Sequence, residues 1–316
     1  MTSTTRRAVA LGLGLSPLLA HPALTQTPTR VSLGYTAVSD FLGAFCAQEE
    51  GFFRARGLEV NFQLITLNSN IRAALQSDSV QLGGPTAPVL LQANDGGLDL
   101  VAIAGGSFSS RAVVNTGVVE RTGAGITDAK SFEGRRVGVP GLGAFLHVLF
   151  RQWMQVGGAD WRKVNFVETP FIQMPDILRG GSIDAVVTGS PIMERIVSGN
   201  IGRVVSNILN DLPDGIPSIP YATTRAWATR NGPAIAAFRG GLAEGMAFMR
   251  ANDAKAREHL AKYIRLPPEI IRTAIITFQK PQITPADFAF WVDVMKGQDM
   301  LRGAPPDAAR IVWPTT

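Results

Sequence analysis

Only one cysteine occurs in the chain, Cys46, so no intrachain disulfide can form. It lies in the apolar run Phe41-Leu42-Gly43-Ala44-Phe45-Cys46-Ala47, without a base or cation beside it, which marks a buried thiol and not a reactive one. Histidine is nearly as scarce, at three residues: His21, His147 and His259. No His-x-x-x-His, cysteine pair or acidic cluster supplies metal ligands. A Gly-x-Ser-x-Gly elbow and a Walker loop are also missing, so the sequence offers no catalytic group, metal or cofactor site. Charged residues make up 17% of the chain and the lysines and arginines are scattered, which leaves no footprint for nucleic acid.

A long apolar run is absent too. Ala8 to Ala20 spans thirteen residues, broken by Pro17, and is too short to cross a bilayer. With Arg6-Arg7 before it and Ala23-Leu24-Thr25 after it, this stretch reads as a cleaved signal peptide over residues 1–25, through the Sec or the twin-arginine route. No cysteine follows it, so a soluble, unlipidated and monomeric periplasmic protein is expected. The formal charge of +5 falls to +3 once Arg6 and Arg7 leave with the leader.

What remains is 46% hydrophobic and fits a well-packed globular protein of one large or two medium domains. Strand-like and helix-like segments alternate from about residue 30, the signature of an α/β protein with mainly parallel sheets. Val31–Tyr35 reads as the first strand, and a helix from Phe41 to Arg56 follows, with Gly57 at its C′ position. Leu58–Leu64 alternates strictly and predicts a half-buried strand, whereas Leu98–Ala104 is apolar but for Asp99 and predicts a strand covered on both faces. A second βα set runs from Arg136 to Ser198. Helices are expected over 233–251, 253–263, 268–278 and 285–299, punctuated by Asn252, Pro267-Pro268 and Pro285. Ala112–Val118 and Ser218–Thr224 read as the two extended connections between the sets.

Helix starts at the carboxyl ends of strands present unpaired N–H groups to a crevice, which suits an oxyanion. Three loops have that composition: Gly83-Gly84-Pro85-Thr86, Gly141-Leu142-Gly143-Ala144-Phe145 and Thr188-Gly189-Ser190-Pro191. Each is equally a plain tight turn, and Ser190 suits the N-cap of its own helix. After the first strand come Thr36, Ser39, Asp40 and Phe41. Asp40 reads as a helix cap or as a partner for a ligand amine. Ser107, Phe108 and Arg111 follow the fourth strand, with Arg111 either an anion clamp or a salt-bridge residue. Tyr221 offers a ring and a hydroxyl on the return connection. His147 falls on a helix where a packed residue is as good a reading as a ligand contact, and His259 sits on a helix expected to be exposed.

Ala47-Gln48-Glu49-Glu50-Gly51-Phe52-Phe53 with Gly57-Leu58-Glu59-Val60 resembles the solute-binding proteins of ABC transporters, nitrate/sulfonate/taurine type. Leu75–Gly83, Lys130–Pro140, Leu178–Ala185 with Pro191, and Ile311-Val312-Trp313-Pro314 agree in order and spacing, so the resemblance covers nearly the whole mature chain. It implies a type II periplasmic-binding-protein fold, two doubly wound lobes joined by a two-segment hinge. The first lobe is expected over 28–112 and 225–316, the second over 113–224. It further implies a receptor that closes on a small organic anion and delivers it to an inner-membrane ABC permease, without enzymatic activity. Sulfonate binders of this type carry hydroxyl residues where Leu142, Gly143 and Ala144 stand, and an aromatic and an acid where Gly189 and Ser190 stand. A roomier, less polar pocket follows, which favours a larger, partly apolar organic acid, aromatic ones included, over taurine or nitrate. A sensory receptor of the same fold is the alternative. Two enzyme types share the fold: a pyrimidine-synthesising one, whose Cys- and His-rich site this chain does not match, and a dehydratase.

Overall fold

A computed structural model describes residues 1–2, 27–303 and 308–314. The expected leader, Met1 and Thr2 apart, lies outside them. The chain first builds β1 (Thr29–Tyr35), α1 (Leu42–Glu49), β2 (Leu58–Leu64), α2 (Ile71–Gln76), β3 (Leu82–Gly83), α3 (Ala87–Asp95) and β4 (Leu100–Phe108). A second run gives β5 (Thr116–Arg121), β6 (Arg136–Val139), α4 (Phe145–Val156), β7 (Asn165–Glu168), α5 (Met174–Arg179), β8 (Ala185–Gly189), α6 (Ile192–Ser198) and β9 (Gly202–Ser206). The last part holds β10 (Pro217–Thr224), α7 (Arg225–Arg230), α8 (Gly232–Ala251), α9 (Asp253–Tyr263), α10 (Pro268–Thr273), β11 (Phe278–Gln279), α11 (Ala289–Lys296) and α12 (Ala308–Ile311).

Two sheets result, a six-stranded one in the order β11-β4-β10-β3-β1-β2 and a five-stranded one in the order β7-β6-β8-β5-β9. Both are mixed. β1 runs parallel to β2 and β3, and β6 parallel to β7 and β8, while β10 and β5 run against their neighbours. The sheets are thus less parallel than the alternation alone suggests, because Thr116–Val118 and all of Ser218–Thr224, read as parts of plain connections, belong to β5 and β10. β10 pairs with β3 and β4, so the return crossing occupies 207–216 and not Ser218–Thr224. The outward crossing occupies 109–115.

Burial follows the patterns. β2 buries Leu58 and Val60 and exposes Glu59 and Asn61, as an edge strand with one covered face must. β4 is buried along its whole length between β10 and β11. Its Gly106 has no room for a side chain: a Cβ there would collide with the Ile219 carbonyl of β10. α1 is shorter than expected because Gly51, at φ 76°, takes a conformation no helix continues through. A 3-10 turn at Arg54–Arg56 then closes on Gly57 in the left-handed region, where the glycine was expected. The helix expected over 268–278 stops at Thr273. The β-branched run Ile275-Ile276-Thr277 is extended and feeds β11, which pairs with the end of β4.

Candidate functional site

A cleft lies where the two sheets face each other, with about 600 Å³ of unfilled space including its open mouth. The first sheet lines it with the loop after β1 (Thr36, Val38, Asp40), Asn68 after β2, Thr86 after β3, and Phe108 at the end of β4. From the other side come Asn115 and Thr116 at the start of β5, Ala144 to Leu146 at the start of α4, Phe171, and Gly189 at the end of β8. This is the strand-end crevice that open α/β sheets produce. The three loops singled out in the sequence do converge here, through Thr86, Ala144 with Phe145, and Gly189.

The polar groups divide into two sets. One set ties the halves together. Asn68 accepts the Thr86 N–H at 2.8 Å and donates to the Gly84 carbonyl at 3.0 Å, fixing the start of α3. Thr86 Oγ1 then accepts the Phe145 N–H from the opposite half at 3.1 Å. Gln92 donates to the Gly143 carbonyl at 2.7 Å, Ser69 to Glu168 at 2.9 Å, and the Asn68 N–H to the Pro140 carbonyl at 3.1 Å. The other set is open: among the described residues, the side chains of Thr36, Asn115 and Thr116 make no hydrogen bond within the chain. Val38, Phe108, Phe145, Leu146, Phe171 and Ile219 supply an apolar wall.

Asp40 is the one charged residue of this lining. It is half-buried, with the Ser218 hydroxyl 3.4 Å from Oδ1 and Ser107 Oγ 2.6 Å from Ser218 Oγ behind it. Burial pushes its carboxyl above the ordinary carboxylate range, against the pull of those two hydroxyls.

Of the other residues marked in the sequence, nine stand off the cleft. Arg111 is exposed and donates through Nε to the Leu212 carbonyl at 3.1 Å, while Asp214 accepts its N–H, so it braces the outer crossing and does not line the cleft. Tyr221 is fully buried between Phe41 and Phe238, and its hydroxyl reaches neither the cleft nor any partner. Phe41 is core and fills the space over Gly84, where a Cβ would collide with its ring. Ser190 caps nothing: it donates to Glu194 at 2.7 Å and accepts the Ile275 N–H at 2.7 Å. Ser39 donates to the Ile275 carbonyl, and Ser107 backs Ser218. Pro85 is buried behind Thr86, Leu142 points to solvent, and Gly143 makes its N–H available to His147 Nδ1 at 2.8 Å. The expectation of an amide cradle at Gly141–Phe145 is therefore corrected: Glu168, His147 and Thr86 already accept the N–H groups of Leu142, Gly143 and Phe145. His147 is packed against Phe166, and His259, expected to be exposed, is buried on Glu50 at 2.6 Å. Cys46 is buried with its thiol pushed up to about 12, chiefly by burial, as its neighbours foretold.

Asn68, Asn115, Thr116, Phe171, Ser218, Ile219 and Thr277 were not marked. Asn68 had a usable signal, since it follows a strand as the other cleft residues do. Thr116, Ser218 and Ile219 were hidden by the reading of their segments as connections.

Chains of known structure share this arrangement. The alkanesulfonate-binding protein SsuA from Xanthomonas axonopodis pv. citri, bound to MOPS, superposes with a TM-score of 0.79 at 18% identity, over 92% of this chain and 99% of that one. The periplasmic nitrate-binding protein NrtA from Synechocystis gives 0.74 at 16% identity, over 90% and 85%. The fold is accordingly the type II periplasmic-binding-protein fold, two lobes joined by two connecting segments. In sequence, the nitrate import ATP-binding protein NrtC of Synechocystis is 24% identical over 263 residues, 75% of this chain. This chain spans only 37% of that relative's length. The NMT1/THI5-like family profile matches residues 38–256, more than half of the sequence, and the chain belongs to that family.

Proposed function

We propose that this protein is an extracytoplasmic solute-binding receptor of an ABC importer, which closes on a small organic anion and presents it to an inner-membrane permease. The observation that carries this reading is the cleft itself: a space walled by residues of both lobes, with hydrogen bonds joining those lobes across it. Closure by hinge motion about 109–115 and 207–216 is the mode of action this geometry supports. With β10 in the first sheet, we take the second lobe as about 116–206 and the first as the remainder from 28. The SsuA protein bound to MOPS and the nitrate-binding NrtA support an anion. Here that anion is held by neutral donors, Asn115 and the hydroxyls of Thr36, Thr86 and Thr116, and by the first turn of α4. The process is binding and release, with no covalent step. Residues 1–25 serve as the export leader in this reading; no helix among the described residues is long and apolar enough to cross a membrane.

A thermal-shift screen over sulfonates, dicarboxylates, aromatic acids and pyrimidines tests the proposal. A true ligand at about 100 times its Kd adds about 2.7 kcal/mol to the folding stability. A screen in which none of these classes raises Tm sinks the receptor reading.

Gly189 sets the width of the site. A Cβ there would meet only the Asn115 carbonyl at 3.4 Å and Thr116 Oγ1 at 3.8 Å, ordinary contacts, so a side chain fits the fold and takes ligand space. Gly189→Leu should weaken a ring-sized ligand by about tenfold or more while moving folding stability by under about 1 kcal/mol. Calorimetric titration beside urea unfolding measures both. Equal affinity in the variant would place the ligand elsewhere.

A further inference from the structure

The cleft of a receptor for anions would be expected to carry a cation, yet among the described residues its lining contains no lysine, arginine or histidine, and Asp40 is its only ionisable side chain. A carboxylate at that place repels the end of any ligand that offers only oxygens or a negative charge. Closing the lobes over it removes further water, and a desolvated carboxylate without a donor is disfavoured. Inside the protein, its support comes from the hydroxyls of Ser107 and Ser218 and from its own backbone N–H. Neither hydroxyl brings a compensating charge. The opposite side of the space is different in kind. Asn115 and Thr116 present unengaged donors there and the twelve-residue α4 begins there, so negative charge is accommodated at that end. Phe108, Phe145 and Ile219 of the same lining are apolar and suit an apolar body.

We infer that the ligand is an amino-substituted organic acid with an apolar, ring-sized body, whose N–H-bearing group pairs with Asp40 at the first-lobe wall of the cleft while its acidic group faces the second lobe. The inference rests on the receptor reading and narrows it: Asp40 selects among organic acids by admitting those with a donor at the far end. It gives Asp40 a positioning reason as well. The residue sits in a 3-10 turn, Ser39–Phe41, whose N-cap is Val38, so its carboxylate does not serve as the cap of that turn.

Matched pairs of ring-bearing acids separate the contribution of the amine from that of the acid. The probes are 4-(aminomethyl)benzenesulfonate against 4-methylbenzenesulfonate, and 4-(aminomethyl)benzoate against 4-methylbenzoate, titrated calorimetrically into the full mature protein. Each aminomethyl compound should bind about tenfold or more tightly than its methyl partner, the size expected of a hydrogen bond to a charged group. In Asp40→Asn the preference should fall to within about twofold, and Asp40→Ala should reverse it in favour of the methyl compound. Melting of both variants without ligand shows that they fold, and the isosteric Asn variant keeps the test valid if the Ala variant does not. Equal or weaker binding of the aminomethyl compounds to the wild type overturns the inference and leaves the receptor standing, because anions would still bind. A preference that survives Asp40→Asn overturns it as well. Binding of neither member of either pair overturns it for ring-bearing acids, and the receptor itself is then judged by the wider screen.

Discussion

Trp291→Ala should cost about 3–5 kcal/mol of folding stability, read from the midpoint of urea unfolding. Trp291 is fully buried on α11, edge-on to Phe145 at a centroid distance of 5.2 Å, and its indole N–H donates to the Pro217 carbonyl at 2.7 Å. Truncation opens a cavity between the C-terminal helices and the start of α4 and leaves a buried carbonyl without its donor. Pro217 precedes Ser218 and Ile219 in β10, and Phe145 forms the other wall of the same cleft. Ligand affinity should therefore fall with stability. Trp291→Phe keeps most of the volume and removes only the N–H, so it should cost about 1–3 kcal/mol. An alanine variant within about 1 kcal/mol of the wild type would show that this buttress contributes little.

The second large effect appears on acidification. His147 is buried, receives the Gly143 N–H on Nδ1, and leaves Nε2 without a partner. Burial, with the Arg151 charge adding to it, holds the imidazole down at about 3 against an ordinary value of 6.5. The unfolded chain takes up a proton at His147 as pH drops through 6.5, and the folded chain does not until about pH 3. Stability therefore falls with falling pH in that window, by about 1.4 kcal/mol for each unit once pH is below 6.5. The buried carboxyls of Asp40 and Glu194 act in the opposite sense. Their folded-state values are raised by burial, so their contribution is fullest below the ordinary carboxylate range and is lost as pH rises through the raised values. His147→Gln removes only the histidine part. Between pH 6.5 and 5 its stability profile should be flatter than that of the wild type by about 2 kcal/mol. Parallel profiles would mean that His147 titrates normally in the fold.

Much of the architecture was legible because burial imposes a period. The alternation in Leu58–Leu64 and the nearly all-apolar stretch Leu98–Ala104 follow directly from one covered face or two. Asn252 and the prolines at 267, 268 and 285 located the starts of the helices after 232 for the same local reason, though not the end of the one expected over 268–278. The connections misled because their strand character comes from neighbours distant in sequence. β10 is a strand because β3 and β4 flank it, and its own residues, including Pro217 and Pro220, argue for a loop. The site was half legible. Strand ends point to a crevice, which placed Thr36, Asp40, Thr86, Phe108, Ala144 and Phe145 at the cleft. Which N–H groups are free there depends on three-dimensional partners such as Glu168 and His147, and no spacing rule reveals those. Arg111 shows the same limit. Its charge suggested a clamp, and the fold turned it outward onto the Leu212 carbonyl.

Asn68, Thr86, Gln92 and Ser69 reach across to the far lobe through direct hydrogen bonds. For a receptor that opens and shuts, as proposed above, such bonds must rupture before the halves can part. A held molecule then leaves only as often as they let go, so these contacts favour retention over rapid exchange.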